Sequence, residues 1–276
     1  QERVVVVVVL HGRRGAIAVV VRRDRHPGAV RVRRPRAAGG GHEGAGAPHE
    51  GAGGLARSVR RGTAATEADQ EAILNMARSG IGTLTLIDMD DICVSNTNRQ
   101  LHALDGHYGR TKTEVMAERV RAINPHATVH THFAFLTPKN VAELIPADMT
   151  GVVDAIDSVK AKAALIAHCQ RRKIPLVCAG GAGGQMDPTQ IQVADLSQTK
   201  VDPLAMNVRK VLRKHYDFPR KGLWGIPAVY SAEPLQAPEV LSYDHNGEFD
   251  CVCPNGENTH HSCEERSQIW GTAGFV

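Results

Sequence analysis

The stretch GVVDAIDSVKAKAALIAHCQRRKIPLVCAGG, residues 151–181, has the pattern of a strand, a helix and a second strand. Its two short apolar runs, at 151–157 and 174–181, have the length of buried strands, and the segment between them, 160–173, is long enough for a helix. Two strands joined through a helix run parallel in one sheet. This stretch therefore predicts a parallel sheet covered by helices.

The same alternation of strands and helices extends towards the start of the chain. The predicted elements are a helix that ends at Gly80, a strand at 83–88, a helix at 111–124, a strand at 128–133 and a short helix at 138–145. We therefore predict an α/β fold with a doubly wound, mostly parallel, Rossmann-like sheet.

Composition indicates a globular protein with an aliphatic core. Hydrophobic residues make up 42% of the 276 residues and aromatic residues only 4%. The net charge of +4 is too small to identify a partner. Cys93, Cys169 and Cys178 lie in apolar or helical segments, which indicates buried reduced thiols and a cytoplasmic protein. No segment has the length and apolarity of a membrane span.

The first 62 residues differ in composition from the rest. Residues 11–62 are rich in Arg, Gly, Ala, Val, His and Pro and show no helical or strand period. Such a segment buries too little apolar surface to offset its ordering entropy. We predict that 1–62 is disordered or mistranslated and that 63–276 is the folded domain. The run VVVVVVLHGRRGA at 4–16 could imitate a strand and a turn, but it lies far from the predicted helix.

Acidic residues stand where two predicted strands end. Asp88 directly follows TLTLI, and Asp154 and Asp157 lie in VVDAIDSV. Ligands of parallel α/β sheets bind at the carboxyl ends of strands, where an acid can accept hydrogen bonds from ribose hydroxyls. Mg²⁺ prefers one or two carboxylates together with phosphates. The alternatives are that Asp88 caps a turn and that Asp157 caps the helix after it.

Cations follow on the next loop and at the next helix start. Arg99 can bind phosphate oxygens in a fork, and Lys112 lies where a helix N-terminus favours anions. Each of the two is alternatively a solvated surface cation. The glycine-rich segment at 179–190 lacks the Lys-Ser/Thr ending of a P-loop, and we predict that it is a flexible loop crossing the site.

In combination these residues resemble a known family. The order D-x-D-x₅-N-x-x-R, then Lys thirteen residues later, then VVDAID, resembles adenylating enzymes of the ThiF type, which are related to ubiquitin-activating enzymes. SGIGTLTLIDMDDICVSNTNRQ, GGAGGQMDPTQIQVADLSQTKVDPLA, FDCVCPNG and GTAGFV look like the branch that dehydrates threonylcarbamoyladenosine in tRNA. The stretch QMDPTQIQ looks specific to that branch, and the resemblance covers about residues 76–276.

The resemblance implies a Rossmann-like sheet of the ThiF type and a role for each site residue. Asp88 would hold the ATP ribose, and Asp90 and Asn96 would belong to the nucleotide site. Arg99 and Lys112 would hold phosphates, and Asp157 would bind Mg²⁺.

The implied reaction is the ATP-dependent dehydration of N6-threonylcarbamoyladenosine in tRNA. ATP adenylates the carboxylate of the modification, and attack within the modification then closes a ring, with net loss of water and release of AMP and pyrophosphate. The family also implies a homodimer in which an arginine crosses between subunits. GGLAR at 53–57 looks like the segment that carries this arginine, so Arg57 is the candidate.

The sequence departs from the family pattern before residue 79. The family has a G-x-G-G-x-G loop after its first strand, but the segment TAATEADQEAILNM at 63–76 contains no glycine. Only 21 residues separate Arg57 from Ser79, which is too few for a strand, a loop and a helix. We therefore expect the first strand and the phosphate loop to be missing and ATP binding to be weak.

Several alternatives stay open. The chain could adenylate the C-terminus of a ubiquitin-like sulfur carrier, which adds a sulfur-acceptor protein to the candidate partners, or it could be an inactive remnant that only binds a partner. An NAD-dependent oxidoreductase is less well supported because no hydride-transfer residues accompany Asp88. Cys251, Cys253 and Cys263 do not match the C-x-x-C spacing of zinc sites. The resemblance also implies that a full-length form has an apolar segment after GTAGFV and is membrane-associated.

Overall fold

The computed structural model describes residues 5–9, 67–97 and 100–236. Its strands are β1 (Val5–Val9), β2 (Thr83–Ile87), β3 (Thr128–His132), β4 (Val152–Asp154), β5 (Leu176–Ala179), β6 (Ile191–Asp195) and β7 (Pro227–Ser231). Its helices are α1 (Glu67–Arg78), α2 (Lys112–Ile123), α3 (Val141–Leu144), α4 (Val159–Arg172) and α5 (Pro203–His215). The predicted strands and helices between residues 67 and 181 are confirmed.

The described strands form one sheet in the order β3-β2-β1-β4-β5-β7-β6. Neighbouring strands run parallel throughout, except that β6 runs antiparallel to β7. Helix α1 packs against α2, and α4 packs against α5. The prediction of a mostly parallel, doubly wound α/β sheet is therefore confirmed.

The first strand of the sheet is present, although the sequence led us to expect that it was missing. Val5–Val9 pairs in parallel with Thr83–Ile87 on one side and with β4 on the other, so β1 is an interior strand of the sheet. A run of β-branched valines fits the pleated surface of a strand that has neighbours on both sides. The long separation in sequence between this valine run and the next helix did not indicate that the strand was absent. Strand pairing depends on the apolar run itself and not on the length of the segment that follows it.

The rest of the N-terminal segment, residues 10–66, lies outside the described residues. The glycine loop expected after the first strand would fall there, as does Arg57. The division of the chain at residue 62 stays a prediction, with the qualification that Val5–Val9 belongs to the sheet.

The core is aliphatic, as the composition predicts. Among the described residues, the buried apolar side chains are aliphatic or sulfur-containing except for Trp224 and Tyr230. Cys169 and Cys178 are buried reduced thiols, and burial raises the pKa of both above the ordinary thiol value. In the described part of the chain, none of the helices combines the length and the apolarity needed to cross a membrane.

Candidate nucleotide site at the strand ends

The predicted site residues follow the carboxyl ends of β2 and β4. These two strands flank β1 and run parallel to it, so both ends lie on one edge of the sheet. The backbone N–H of Asp88 donates to the carbonyl of His132 at 3.1 Å, which fixes the end of β2 against the end of β3. Parallel strand order therefore places Asp88 and the residues after β4 on the edge where ligands of such sheets bind.

Asp88 is a buried acid, and one of its two carboxylate oxygens already accepts a hydrogen bond within the protein. Its Oδ1 accepts the backbone N–H of Asp90 at 2.9 Å, and its Oδ2 is buried and has no hydrogen-bond partner among the described residues. Burial raises the pKa of Asp88 well above its usual range, and the neighbouring Asp90 carboxylate adds to this shift, whereas Lys112 opposes it. The second oxygen of Asp88 is thus suited to accept a hydrogen bond from a ligand.

Lys112 lies in a buried ion pair at the start of α2. Its Nζ is 2.7 Å from Asp90 Oδ2, and the side chain is only 5% exposed. Its backbone N–H also donates to the carbonyl of Asp90 at 3.0 Å. Burial alone would lower the pKa of Lys112, but the carboxylates of Asp90 and Asp88 outweigh it and raise the pKa above the ordinary value. The site therefore contains a fixed positive charge.

Local backbone pairing explains why Asp90 and Lys112, which are far apart in the sequence, are in contact. Asp91 and Thr111 form an antiparallel bridge, so the loop after β2 runs beside the segment that enters α2. Thr111 caps the helix by accepting the N–H of Glu114 at 3.3 Å. Asp90 and Lys112 each adjoin one partner of the bridge, which brings the carboxylate and the ammonium into contact.

Asn96 shapes the loop that follows Asp88, and its predicted place in the nucleotide site stays a prediction. It is buried, its Oδ1 accepts the N–H of Cys93 at 3.0 Å, and its own N–H donates to the Cys93 carbonyl at 2.9 Å. Arg99 and Arg57 lie outside the described residues, so their predicted contacts with phosphate and with a partner's nucleotide stay predictions.

The two aspartates after β4 have different environments. Asp154 is fully buried, and its Oδ1 accepts from Lys162 Nζ at 3.0 Å and from the Ile156 N–H at 3.0 Å. Burial raises the pKa of Asp154, and the Lys162 ammonium opposes that shift. Asp157 is half-buried and precedes Ser158, which is the N-cap residue of α4. The N-cap position that the sequence suggested at this helix start therefore falls on Ser158, whose side chain makes no capping hydrogen bond.

The resemblance assigns Mg²⁺ to Asp157, and this assignment stays a prediction. Asp154, the other carboxylate after β4, is paired with the buried Lys162 ammonium. No cluster of three or more potential metal ligands occurs in residues 5–9, 67–97 and 100–236. Mg²⁺ bound through one carboxylate, phosphates and water does not require such a cluster.

Sequence reasoning missed Lys162, which is among the largest fully buried side chains of the described residues. A signal was present in α4: Lys162, Leu165, Ile166 and Cys169 have the i, i+3, i+4, i+7 spacing of one helix face, and all four are buried. A lysine on the apolar face of a helix requires a buried acid, and Asp154 lies eight residues before it.

The glycine-rich loop after β5 is fixed at both ends, whereas the sequence predicts a flexible loop. Gly181 N–H donates to Asp202 Oδ2 at 2.8 Å, and the N–H groups of Met186 and Asp187 donate to Glu233 Oε2 at 2.8 and 2.9 Å. A Cβ on Gly180 would lie 2.0 Å from Asp202 Oδ2. Here glycine permits a close approach to a buried carboxylate that the local sequence does not reveal.

His102, on the loop between β2 and α2, is a buried polar residue outside the predicted site. His102 is 1% exposed, and neither ring nitrogen has a hydrogen-bond partner among the described residues. Burial, with Lys112, Arg119 and His107 adding to the effect, lowers the pKa of His102 to about 3. The side chain is therefore a neutral imidazole at physiological pH. The sequence analysis did not identify His102 as a site residue.

The pattern of the ThiF family matches residues 70–268. The chain is 56% identical to the tRNA threonylcarbamoyladenosine dehydratase of Haemophilus influenzae over 167 residues, which are 60% of this chain and 64% of that protein. It is 55% identical to the Escherichia coli dehydratase over 166 residues, 59% of this chain and 62% of that protein. The chain thus spans less than two thirds of the length of these relatives.

A solved structure has the same fold. The crystal structure of the E. coli tRNA N6-threonylcarbamoyladenosine dehydratase in complex with ATP superposes with a TM-score of 0.61 at 52% identity. The superposition covers 63% of this chain and 73% of that chain. The matched family segment, residues 70–268, contains Asp88, Lys112 and Asp157.

Proposed function

This chain belongs to the ThiF family, and on that premise we propose that it dehydrates N6-threonylcarbamoyladenosine in tRNA with the consumption of ATP. The carboxylate of the modification attacks the α-phosphate of ATP, and pyrophosphate leaves. A nucleophile within the same modification then attacks the acyl-adenylate, closes a ring and expels AMP. The modification loses one water in total, and its oxygen leaves in AMP.

The observation that carries this proposal is the 56% identity to the H. influenzae dehydratase. The site chemistry supports it, because carboxylate activation requires cations near the phosphates and acceptors for the ribose. We propose that Asp88 at the end of β2 supplies the acceptor and that Lys112 at the start of α2 supplies a cation.

Asp88 is the proposed ribose ligand. Its buried Oδ2 has no hydrogen-bond partner among the described residues, and a ribose hydroxyl is a donor that would satisfy it. Binding of a donor also favours the ionised carboxylate, which burial otherwise disfavours. Asn96 holds the adjoining loop in shape, and Asp90 holds Lys112.

Lys112 and Arg99 are the proposed phosphate ligands. Lys112 is charged in its buried environment and lies at the N-terminus of α2, where the helix dipole also favours anions. Positive charge held in a site of low polarity stabilises the charge that develops on the α-phosphate. Arg57 of a second subunit would add a further cation, so a homodimer is part of the proposal.

Asp157 is the proposed Mg²⁺ ligand. The donor set fits this ion, since Mg²⁺ is held in proteins through one or two carboxylates while phosphates and water complete its shell. A bound Mg²⁺ would neutralise charge on the departing pyrophosphate. The role of this chain is to hold Asp157 on a fixed turn, which the contacts of Asp154 with Ile156 and Lys162 provide.

The proposal includes a cytoplasmic location, where tRNA is found. The expectation that this chain binds ATP weakly also stays a prediction. It depends on the absence of glycine from segment 63–76, where the family's phosphate loop was expected. A calorimetric titration that gave micromolar ATP affinity would contradict it.

Pyrophosphate exchange separates the proposed function from its nearest alternative. ATP and radioactive pyrophosphate are incubated with the full chain, Mg²⁺ and either threonylcarbamoyl-modified tRNA or a ubiquitin-like sulfur-carrier protein. We expect exchange that depends on the modified tRNA. Exchange that depends only on the carrier protein would instead support a sulfur-carrier adenylyltransferase.

A further inference from the structure

The basic segments 170–173 and 209–221 come together at the end of the molecule opposite the candidate nucleotide site. Helix α4 begins after β4, and α5 begins at Asp202, which bonds Gly181 after β5, so both helices start at the site edge. The two helices pack against each other. Their C-terminal ends therefore lie side by side at the far edge of the sheet.

A cavity of about 350 Å³ lies between these helix ends. Its lining includes Gln170 and Arg171 of α4, the acid Asp217 and the aromatic residues Tyr216, Phe218 and Trp224. The volume falls within the range of small-molecule pockets and is ample for one nucleobase. Neither the candidate nucleotide site nor the proposed reaction uses this cavity.

The aromatic wall of the cavity is held in place by several contacts. The ring centroids of Phe218 and Trp224 are 4.9 Å apart in an edge-to-face arrangement, and the Arg213 guanidinium lies 5.2 Å from the Trp224 ring centroid. The indole N–H donates to the Pro219 carbonyl at 3.1 Å, and Gln170 Nε2 donates to the Trp224 carbonyl at 3.3 Å. The wall is thus preformed.

The surroundings of the cavity are strongly basic. Segments 170–173 and 209–221 together contain nine Lys and Arg residues and one acid, Asp217, although the net charge of the whole chain is only +4. Among the described residues, none of these nine cations forms an ion pair. The exposed members include Arg171, Lys214 and Lys221. Unpaired cations around an aromatic pocket suit a polyanion that also presents flat rings.

We propose that this edge, the distal basic edge, is a docking surface for tRNA, with backbone phosphates on the exposed cations and one unpaired base in the aromatic cavity. The proposal rests on the proposed function, which makes tRNA the partner. Phosphate contacts supply most of the affinity and make it dependent on salt, and stacking or insertion of a base adds a local contact. Contacts here would orient the tRNA without taking part in the chemistry.

Binding of tRNA by two matched variants tests this surface. The first variant carries Arg171→Ala, Lys214→Ala and Lys221→Ala at the distal basic edge. The control carries Arg78→Ala, Arg121→Ala and Lys139→Ala, which removes three exposed cations elsewhere. Affinity of the full chain for total tRNA is measured by filter binding without ATP at several salt concentrations, after equal melting temperatures have shown that both variants fold.

We expect the distal variant to lose roughly tenfold or more in affinity and the magnitude of its salt slope to fall by roughly two to three, since each phosphate contact contributes about 0.7 to 0.9. The control should stay within roughly twofold of the parent. Equal losses in both variants would overturn the proposal, because they would show that only net charge matters. A change from dimer to monomer in the distal variant would also overturn it, since the edge would then be a contact between copies.

Trp224 provides a second measurement that reports on the cavity itself. The chain has two tryptophans, so Trp270→Phe leaves Trp224 as the only source of tryptophan fluorescence. We expect a single-stranded RNA oligonucleotide to change its emission, and the three distal substitutions to abolish that change. Unchanged emission at saturating RNA would refute base entry. Both tests measure RNA binding without ATP and therefore do not depend on dehydratase activity. A failure of the docking proposal can thus be distinguished from a failure of the proposed function.

Discussion

Lys162 Nζ lies 3.0 Å from the carboxylate of Asp154 and 3.2 Å from the backbone carbonyl of the same residue. One buried cation therefore fixes both the side chain and the main chain at the end of β4. Asp157 follows three residues later, on the turn that leads into α4. The ion pair thus acts as the internal support for the proposed Mg²⁺ ligand.

Replacing Lys162 with Met should destabilise the fold strongly. The Asp154 carboxylate would stay buried without its cation, and loss of one partner of a buried pair costs about 3–5 kcal/mol. Urea denaturation of Lys162→Met and of the control Lys160→Met, at an exposed position of the same helix, gives the comparison. A loss below about 1 kcal/mol at Lys162 would mean that the pair is not compensating a buried charge.

Asp88→Asn should weaken ATP binding and leave the fold intact. The amide keeps an acceptor for the Asp90 N–H but replaces the oxygen proposed to accept from ribose, and loss of such a bond costs about 1–3 kcal/mol, or roughly 5- to 150-fold in affinity. Calorimetric titration of the parent, of Asp88→Asn and of the exposed control Asp148→Asn measures this effect. Equal affinities in all three proteins would remove Asp88 from the site.

Low pH should destabilise the protein partly through His102. Its pKa is about 3 in the folded state against an ordinary value of 6.5, so the unfolded chain binds the extra proton between these values. Stability from this residue is complete above pH 6.5 and is lost as the pH falls towards about 3, by about 2–3 kcal/mol over two pH units. His102→Leu should flatten this dependence, whereas exposed His126→Leu should not. Identical pH profiles of unfolding in the parent and His102→Leu would show that His102 is charged or solvated.

Gly180→Ala should destabilise the loop after β5. The new Cβ would lie 2.0 Å from Asp202 Oδ2 and 2.9 Å from Tyr230 Cβ, and relief of such overlap costs about 1–3 kcal/mol. The matched control is Gly82→Ala, where a Cβ would meet nothing within 4 Å. Thermal melting compares the two variants. If Gly82→Ala proves the more damaging, the close approach at Gly180 is not what the loop requires.

Apolar periodicity was sufficient to predict most of the fold. Strands such as Thr83–Ile87 and helices such as Lys112–Ile123 depend on local patterns of apolar residues, which a single sequence displays. The interior strand Val5–Val9 was misjudged because its pairing is set by strands far along the chain. Local pattern therefore predicts an element better than it predicts its neighbours in the sheet.

The candidate site was predicted less completely than the fold. Placement of Asp88 and Asp157 at strand ends follows from sheet geometry, so sequence could predict it. The Lys112–Asp90 pair and the Lys162–Asp154 pair depend on which side chains face each other after folding. The resemblance assigned Lys112 to phosphate without revealing its buried carboxylate partner.

Mass spectrometry of tRNA nucleosides tests the central claim most directly. Threonylcarbamoyl-modified tRNA is incubated with the full chain, ATP and Mg²⁺, then digested, alongside the same reaction with Asp157→Asn. We expect the parent to convert the modified nucleoside to a product lighter by one water, with one AMP formed per conversion, and Asp157→Asn to do so at least roughly tenfold more slowly. AMP release without any change in nucleoside mass, or equal conversion by Asp157→Asn, would contradict it.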